Sequence, residues 1–324
     1  SILSLYLSAF HFFVVTLPCK KEKWGEFVEE SFLSGHPPDI KKTNMKKIIL
    51  LIASVLLPVL VSAQAQINTK KVKIEDFTEK TTKVVLTGNL FFDQVFKEEI
   101  RNRWRISPYE FCSLEEFGKL KTDGNYYFLM IVKGQFRKES EPGISMLTVL
   151  KGGAGAEKGL NKMLDVVDVP IMSAENPSGR EFVFLPALLD ILQDHILLSM
   201  EKDVAAYSGL ANYTMGLGTT EGMDIVFAED DLSEGITENV RKVYFKNGIS
   251  VAETDTADKI MSEHTPNTLV SFTVYPDQIR PGSYCYKMLI DAETHKLYYF
   301  RKHKITGRFG PGFLLEDINR IATR

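Results

Sequence analysis

Residues 83–104 read KVVLTGNLFFDQVFKEEIRNRW, and the spacing of the apolar residues changes within this stretch. The first five residues form a short apolar run that is typical of a buried strand. From Asn89 to Arg103 the apolar side chains recur three or four positions apart, which predicts an amphipathic helix. A strand followed directly by a helix indicates an α/β fold.

The rest of the first half continues this pattern. Ser113 followed by Glu116 is a capping box, which predicts a short helix that opens at Ser113. The glycine-rich segment 151–159 matches neither glycine-rich phosphate motif, so it is interpreted as a flexible connection. The next stretch, 160–167, is predicted to be helical, and a helix over 186–203 closes the half. The predicted strands lie at 106–112, 126–133 and 145–150.

The second half repeats the order of elements in the first. Val85 in the first strand matches Val226. Tyr126 in a later strand matches Thr268 at nearly the same separation, which indicates an internal repeat. The alternative is that two unrelated α/β units look alike at this level of detail. The predicted elements of the second half are strands at 224–228, 249–252, 269–275 and 284–290, helices at 232–245, 256–263 and 313–321, and a hairpin turn at 291–296.

The predicted fold is therefore α/β with mixed sheets, built as two tandem β-α-β-α-β-β repeats that are each closed by a helix. The first repeat is expected over 66–206 and the second over 223–324. The segment 207–222 is rich in Gly, Thr and Asn and has no apolar period, which is typical of a linker.

A secretory signal peptide is predicted at 45–65. A short basic start at Met45 precedes an apolar run of about 14 residues, and small residues at Ala63 and Ala65 provide a cleavage site. The run is shorter than the roughly 20 residues that a membrane span requires. We therefore expect cleavage near Ala63 or Ala65 and a periplasmic or secreted mature chain without a stable membrane span. Residues 1–44 are interpreted as an upstream extension, the alternative being an additional membrane anchor.

Composition narrows the range of partners. The chain holds 39 Lys and Arg against 42 Asp and Glu, a formal net charge of −3. This balance gives no general attraction to nucleic acid, so no nucleic-acid partner is expected. Cys112 and Cys285 lie in apolar strand-like runs, where buried free thiols are expected. An oxidising compartment would also permit a disulfide between them.

The leader, which ends in AQAQ at 63–66, and the chain that follows resemble many uncharacterised secreted proteins of Bacteroidetes. The order of elements in each repeat is similar to the small α/β domain of the TolB amino terminus and of CsgG-type curli-secretion proteins. Residues 289–300, LIDAETHKLYYF, resemble the hairpin of those domains, with His295 in place of their usual turn glycine. The resemblance is topological and carries no site motif. It implies an envelope or assembly role rather than catalysis.

Four residues are candidates for a binding surface. The aromatic candidates, Tyr127 and Tyr299, belong to alternating strands, where such rings either form core or line a groove. The basic candidates, Arg301 and Lys302, either meet anionic envelope groups or protect an edge strand from pairing.

No cofactor or metal ion is expected from the sequence. The acidic run 229–231 does not have the spacing of a calcium loop, so Asp231 or Ser233 is interpreted as the N-cap of the helix that follows. The histidines of the predicted mature chain show no helical metal-ligand spacing; they are His195, His264, His295 and His303.

These observations favour a non-enzymatic binding or envelope-assembly protein whose partner is an unknown protein or envelope ligand. One alternative is a periplasmic small-molecule binder with its ligand between the repeats, since crevices between domains are favoured pocket sites. Another is an enzyme of unknown class. A deep apolar pocket with converging polar groups would favour the small-molecule hypothesis, and a broad exposed apolar patch would favour a protein partner.

Overall fold

Two five-stranded mixed sheets with the same strand order form the framework of the computed structural model. The first sheet has the order β2-β1-β3-β4-β5 and the second has the order β7-β6-β8-β9-β10. In the first sheet β1 is parallel to β2 and β3, and β3, β4 and β5 are antiparallel to one another; the second sheet repeats these orientations. The strands are β1 (Thr81–Val85), β2 (Tyr109–Cys112), β3 (Tyr126–Gly134), β4 (Ile144–Lys151), β5 (Leu164–Ser173), β6 (Asp224–Ala228), β7 (Ile249–Ala252), β8 (Thr268–Val274), β9 (Tyr284–Asp291) and β10 (Leu297–Lys304).

The structure describes residues 74–136, 138–202, 205 and 209–324. The predicted signal peptide and upstream extension therefore lie outside the described residues. The helices between and after the strands are α1 (Leu90–Arg103), α2 (Leu114–Leu120), α3 (Arg180–Glu201), α4 (Glu238–Tyr244), α5 (Thr254–Ser262) and α6 (Leu315–Ala322).

The predicted fold class is confirmed, since each sheet is built from the same β-α-β-α-β-β succession and is followed by a helix. We call 81–201 the first repeat and 224–322 the second repeat. Each repeat also has a third antiparallel strand, β5 or β10. The sequence indicated this strand only in the second repeat, through the hairpin turn at 291–296. There His295 has a φ of +59°, the left-handed conformation that usually favours glycine.

Three helix predictions are wrong: one predicted helix is absent, and two begin at other residues. The stretch 160–167 is not helical, because after a single 3₁₀ turn at Leu160–Lys162 the Val-rich segment pairs with β4 as strand β5. The closing helix of the first repeat begins at Arg180 rather than at 186, and Pro186 lies inside it. The helix predicted from 232 begins only at Glu238.

The elements pack in layers. α2 covers the outer face of the first sheet, and α1, α3 and α5 fill the space between the sheets. α4 and α6 cover the outer face of the second sheet. α3 is the central helix, and its Phe184 ring stacks on Phe272 of β8 with ring centroids 4.2 Å apart. The two repeats therefore share one apolar core.

The central position of α3 explains its composition. Within the described part of the chain, α3 is the one helix whose length and apolar character would suit a membrane span, and most of it is buried. A helix that packs against apolar surfaces on several sides needs no polar face. α6, which closes the second repeat at the surface, is amphipathic instead, with Ile318 and Ile321 buried and Glu316 exposed.

The chain between the repeats is more structured than a linker requires. Residues Gly209–Thr219 form a run of 3₁₀ turns that lies along β10, the edge strand of the second sheet. The Thr214 hydroxyl donates to the Phe300 carbonyl oxygen and accepts from the Phe300 amide. Covering an edge strand in this way removes a site for unwanted pairing.

Candidate binding site

A cavity of about 680 Å³ lies in the first repeat, beyond the end of β1 and beside the last residues of β3. Its volume falls within the range of roughly 300–1,000 Å³ that is typical of small-molecule sites. Ligands of open α/β sheets bind outside the carboxyl ends of parallel strands, and this cavity occupies such a position. Its apolar lining comes from Val85, Leu86, Phe91, Phe92, Leu114, Met130, Ile131, Met172, Ala174, Pro177 and Phe182.

Unequal strand lengths create the cavity. β1 ends at Val85, and its last paired residue in register with β3 is Val84, opposite Leu129. β3 continues to Gly134 and β4 pairs with it along this extension. The first turns of α1 and α3 border the space that β1 leaves unfilled.

The loop that joins β1 to α1 is held in place by one buried carboxylate. Asp93 accepts hydrogen bonds from the amide of Thr87, from its hydroxyl and from the amide of Gly88. The Asn89 side chain caps α1 by accepting from the Phe92 amide. The wall of the cavity formed by this loop is therefore fixed by local hydrogen bonds.

Exposed apolar side chains surround the mouth of the cavity. Phe91 is 66% exposed and Leu114 is 55% exposed, and both line the cavity. Phe91 packs edge to face against Phe182 of α3, with ring centroids 5.2 Å apart. Leu90, which precedes Phe91 in the sequence, is 88% exposed. A cluster of exposed apolar groups next to a cavity is a feature of binding sites rather than of ordinary surface.

Fewer polar than apolar side chains line the cavity. Lys133, Ser145 and Met172 form one row across β3, β4 and β5 and all line it. Lys133 is exposed, whereas Ser145 is 98% buried. Glu181, in the first turn of α3, also lines the cavity and is 98% buried. An apolar cavity with a small number of polar groups is the usual composition of a ligand site.

The cleft between the repeats has a different chemistry. It is a smaller cavity of about 310 Å³ that contains Arg180 and Asp231. Arg180 forms ion pairs with Asp231 (2.8 Å) and with Asp258 of α5 (2.9 Å). The Asp231 carboxylate also accepts from the hydroxyls of Ser271 and Thr273. The prediction that this acidic run caps the following helix is therefore wrong. Asp231 lies in the core and pairs with Arg180, and α4 begins only at Glu238.

The four predicted surface residues lie elsewhere. Tyr127 and Tyr299 are fully buried, and burial raises the pKa of both phenols. The expectation that these rings line a groove is therefore corrected, because each hydroxyl donates to a buried or half-buried carboxylate, Asp76 or Asp317. The two tyrosines therefore belong to the core, and each hydroxyl holds one carboxylate in position.

The two basic candidates are on the edge strand β10. Arg301 is one-third exposed and pairs with Glu316 and Asp317 of α6. Lys302 lies 5.5 Å above the Tyr284 ring, and burial lowers the pKa of its ammonium group. Neither residue lines the cavity of the first repeat, and their role in binding stays a prediction.

Both cysteines of the described chain and His195 are buried. Cys112 and Cys285 are both buried free thiols, which confirms the expectation for these positions. His195 is buried on α3, and burial lowers its pKa to about 4. Within the described ranges, no group of three or more His, Cys, Asp or Glu side chains is arranged to hold a metal ion.

Sequence reasoning missed the cavity because its walls come from seven helices and strands spread over about 100 residues of the chain. One local signal was available. Leu90, Phe91 and Phe92 are three consecutive apolar residues at the start of a helix, and consecutive residues cannot share one helical face. Phe92 packs in the core, which leaves Leu90 and Phe91 exposed.

Comparison of the chain with protein-family models, with curated proteins and with solved structures gives no match.

Proposed function

We propose that this chain is a secreted or periplasmic, non-enzymatic binding protein that holds an apolar ligand in the cavity of the first repeat. One observation carries the proposal: the cavity of about 680 Å³ is lined mainly by apolar side chains and opens between the first turns of α1 and α3. Burying an apolar ligand there removes apolar surface from water on both sides, which stabilises the complex. The ligand position is within the first repeat rather than between the repeats.

The signal peptide predicted at 45–65 supports an address outside the cytoplasm, with cleavage near Ala63 or Ala65. The resemblance of the repeats to TolB-type and CsgG-type domains supports an envelope setting. The mostly buried position of α3 argues weakly against a membrane span in the described chain, because this helix packs inside the protein.

A protein partner is the second candidate. The exposed side chains of Leu90, Phe91 and Leu114 support it, because a partner could cover them and insert an apolar side chain into the cavity. The two candidates differ in what remains bound after purification, namely a small molecule or a second polypeptide.

The test expresses the gene from Met45 through the native secretion route of its bacterium. Native mass spectrometry gives the first residue of the mature chain and the mass of any bound molecule. Binding of the neutral fluorescent probe N-phenyl-1-naphthylamine is then measured for the wild type and two variants. Met172→Trp fills the cavity, and Met215→Trp makes the same change at a position that is 85% exposed and outside the cavity.

We expect a chain that begins at Gln64 or Gln66 and binds one probe molecule. Met172→Trp should weaken probe binding by about tenfold or more, since the added ring occupies the space that the probe needs. Met215→Trp should bind like the wild type. Equal binding by both variants would show that the probe lies elsewhere and would refute the cavity as the site. A copurifying polypeptide with no small molecule would favour the second candidate.

A further inference from the structure

The buried carboxylate of Glu181 is the feature of the cavity that specifies ligand chemistry. Its Oε2 atom accepts a hydrogen bond from the Gly179 amide at 2.8 Å. Within the described part of the chain, no ion pair joins Glu181 to a Lys, Arg or His side chain, although Glu181 is 98% buried. The start of α3 favours a negative charge, but burial of a carboxylate without a cation remains unfavourable.

The second repeat shows how this fold otherwise neutralises a carboxylate in the first turn of a closing helix. Asp317, in the first turn of α6, is fully buried and pairs with Lys287 of β9 and Arg301 of β10. Lys287 and Arg301 face each other across the two strands, and Thr273 of β8 is the third member of this row. The second sheet therefore supplies the cations that its closing helix requires.

The corresponding row of the first sheet is apolar. Strand order and register place Ile131, Leu147 and Val169 where the second sheet has Thr273, Lys287 and Arg301. The first repeat thus has a buried carboxylate at the start of its closing helix, no cation in this row of its sheet, and a cavity beside the helix. A cation delivered by the ligand would fill this deficit.

Ser145 provides a second polar group in the cavity. It is 98% buried and lines the cavity. Lys133 lies beside Ser145 in the strand row, but its side chain is exposed at the mouth and forms no ion pair with Glu181 in the described structure. A carboxylate and a hydroxyl inside a cavity can each accept a hydrogen bond from a primary ammonium group, which has three donors.

We propose that the ligand of this cavity is an apolar molecule that carries a primary ammonium group. The ammonium donates to Glu181 and Ser145, and the apolar body packs toward Phe91 and Phe182 at the mouth. This inference rests on the proposed function, since it names the class of ligand for the same site.

Three probes with the same alkyl chain test the inference by isothermal titration calorimetry at pH 7: octylamine, octanol and octanoate. The proteins are the full secreted chain, its Glu181→Gln and Ser145→Ala variants, and Glu98→Gln as a matched control. Glu98 is exposed on α1 and lies outside the cavity, so the control removes the same charge without changing the site. Circular dichroism confirms that each variant is folded before titration.

The wild type should bind octylamine about tenfold or more tightly than octanol, because a hydrogen bond between charged groups in a dry site is stronger than one between neutral groups. Glu181→Gln should make the affinities for octylamine and octanol nearly equal. Ser145→Ala should weaken the binding of octylamine more than the binding of octanol. Glu98→Gln should keep the wild-type preference for octylamine. Octanol or octanoate bound as tightly as octylamine by the wild type would overturn the ammonium class and leave the proposed function standing. Failure of all three probes to bind would refute both.

Discussion

Lys287 shows what a buried charge does in this fold. Lysine is among the residue types that are most rarely buried, yet Lys287 is fully buried in the second repeat. Its ammonium donates to Asp317, which also accepts from Tyr299, from Arg301 and from the Leu314 amide. Burial lowers the pKa of Lys287. Because Asp317 has several donors, the network fixes the position of α6 on the second sheet.

His195 gives the protein a pH-dependent stability. Burial lowers the pKa of its imidazole in the folded chain to about 4, against 6.5 when unfolded. Between these values the unfolded chain binds a proton that the folded chain does not, so the free energy of unfolding falls as pH falls from 6.5 toward 4. We expect this residue to remove up to about 3 kcal/mol over that window.

The measurement is urea unfolding at several pH values for the wild type and His195→Gln. The difference in free energy of unfolding between the two proteins should shrink or reverse toward pH 4, because glutamine does not take up a proton. The difference isolates His195 from His303, whose pKa is also lowered by burial. A difference that stays constant from pH 7 to pH 4 would contradict the assignment.

At the scale of elements, the first turn of α3 fastens the two repeats together. Arg180 reaches Asp231 at the end of β6 and Asp258 on α5, and all three side chains are largely buried. Arg180→Met would leave two carboxylates without their cation inside the protein. Breaking a buried ion pair by removing one partner typically destabilises by about 3–5 kcal/mol.

We expect the loss for Arg180→Met to be smaller at pH 5 than at pH 7, since burial raises the pKa of the Asp258 carboxyl and its protonation removes an unpaired charge. Arg105→Met is the control, because Arg105 is 62% exposed and its ion pair with Asp190 is long, at 3.5 Å. That change should alter stability by roughly 0.5 kcal/mol or less. Chemical denaturation at both pH values provides the comparison, and equal losses for the two variants would exclude a role of Arg180 in joining the repeats.

Elements with strong local signals could be predicted from the sequence, and elements set by distant contacts could not. The capping box of Ser113 and Glu116 correctly predicts α2, because both of its hydrogen bonds form. β5 was missed because its pairing with β4 is a long-range contact and its valines also suit a buried helix. Arg180 gave no local sign that it begins a helix, because its partners lie in the second repeat.

For the candidate site too, local features could be predicted from the sequence, whereas features that depend on distant contacts could not. The strand-to-helix junctions that border the cavity are readable from the sequence, since they follow from the change of apolar period near Asn89. The cavity itself depends on β3 being longer than β1 and on where α3 lies, and neither is encoded in a local pattern. Glu181 is an ordinary first-turn acidic residue in sequence. Its importance appears only when the apolar row beneath it is compared with the row that holds Lys287 and Arg301.

At the scale of the whole molecule, we expect the shared core around α3 to make the two repeats unfold as one unit. Leu192 is fully buried on α3 within the core that contains residues of both sheets. Leu192→Ala should destabilise the protein by about 2–5 kcal/mol through lost burial and the cavity left behind. If the repeats unfold together, this loss appears equally in both sheets.

Amide hydrogen exchange resolves the two sheets separately. We expect the most protected amides of β3 and β4 and those of β8 and β9 to lose the same free energy of opening in Leu192→Ala. Leu197→Ala, on the same helix at a position that is 39% exposed, should lower protection much less in either sheet. Wild-type protection of β8 and β9 in Leu192→Ala would mean that the second repeat folds independently, and α3 would then belong to the first repeat alone.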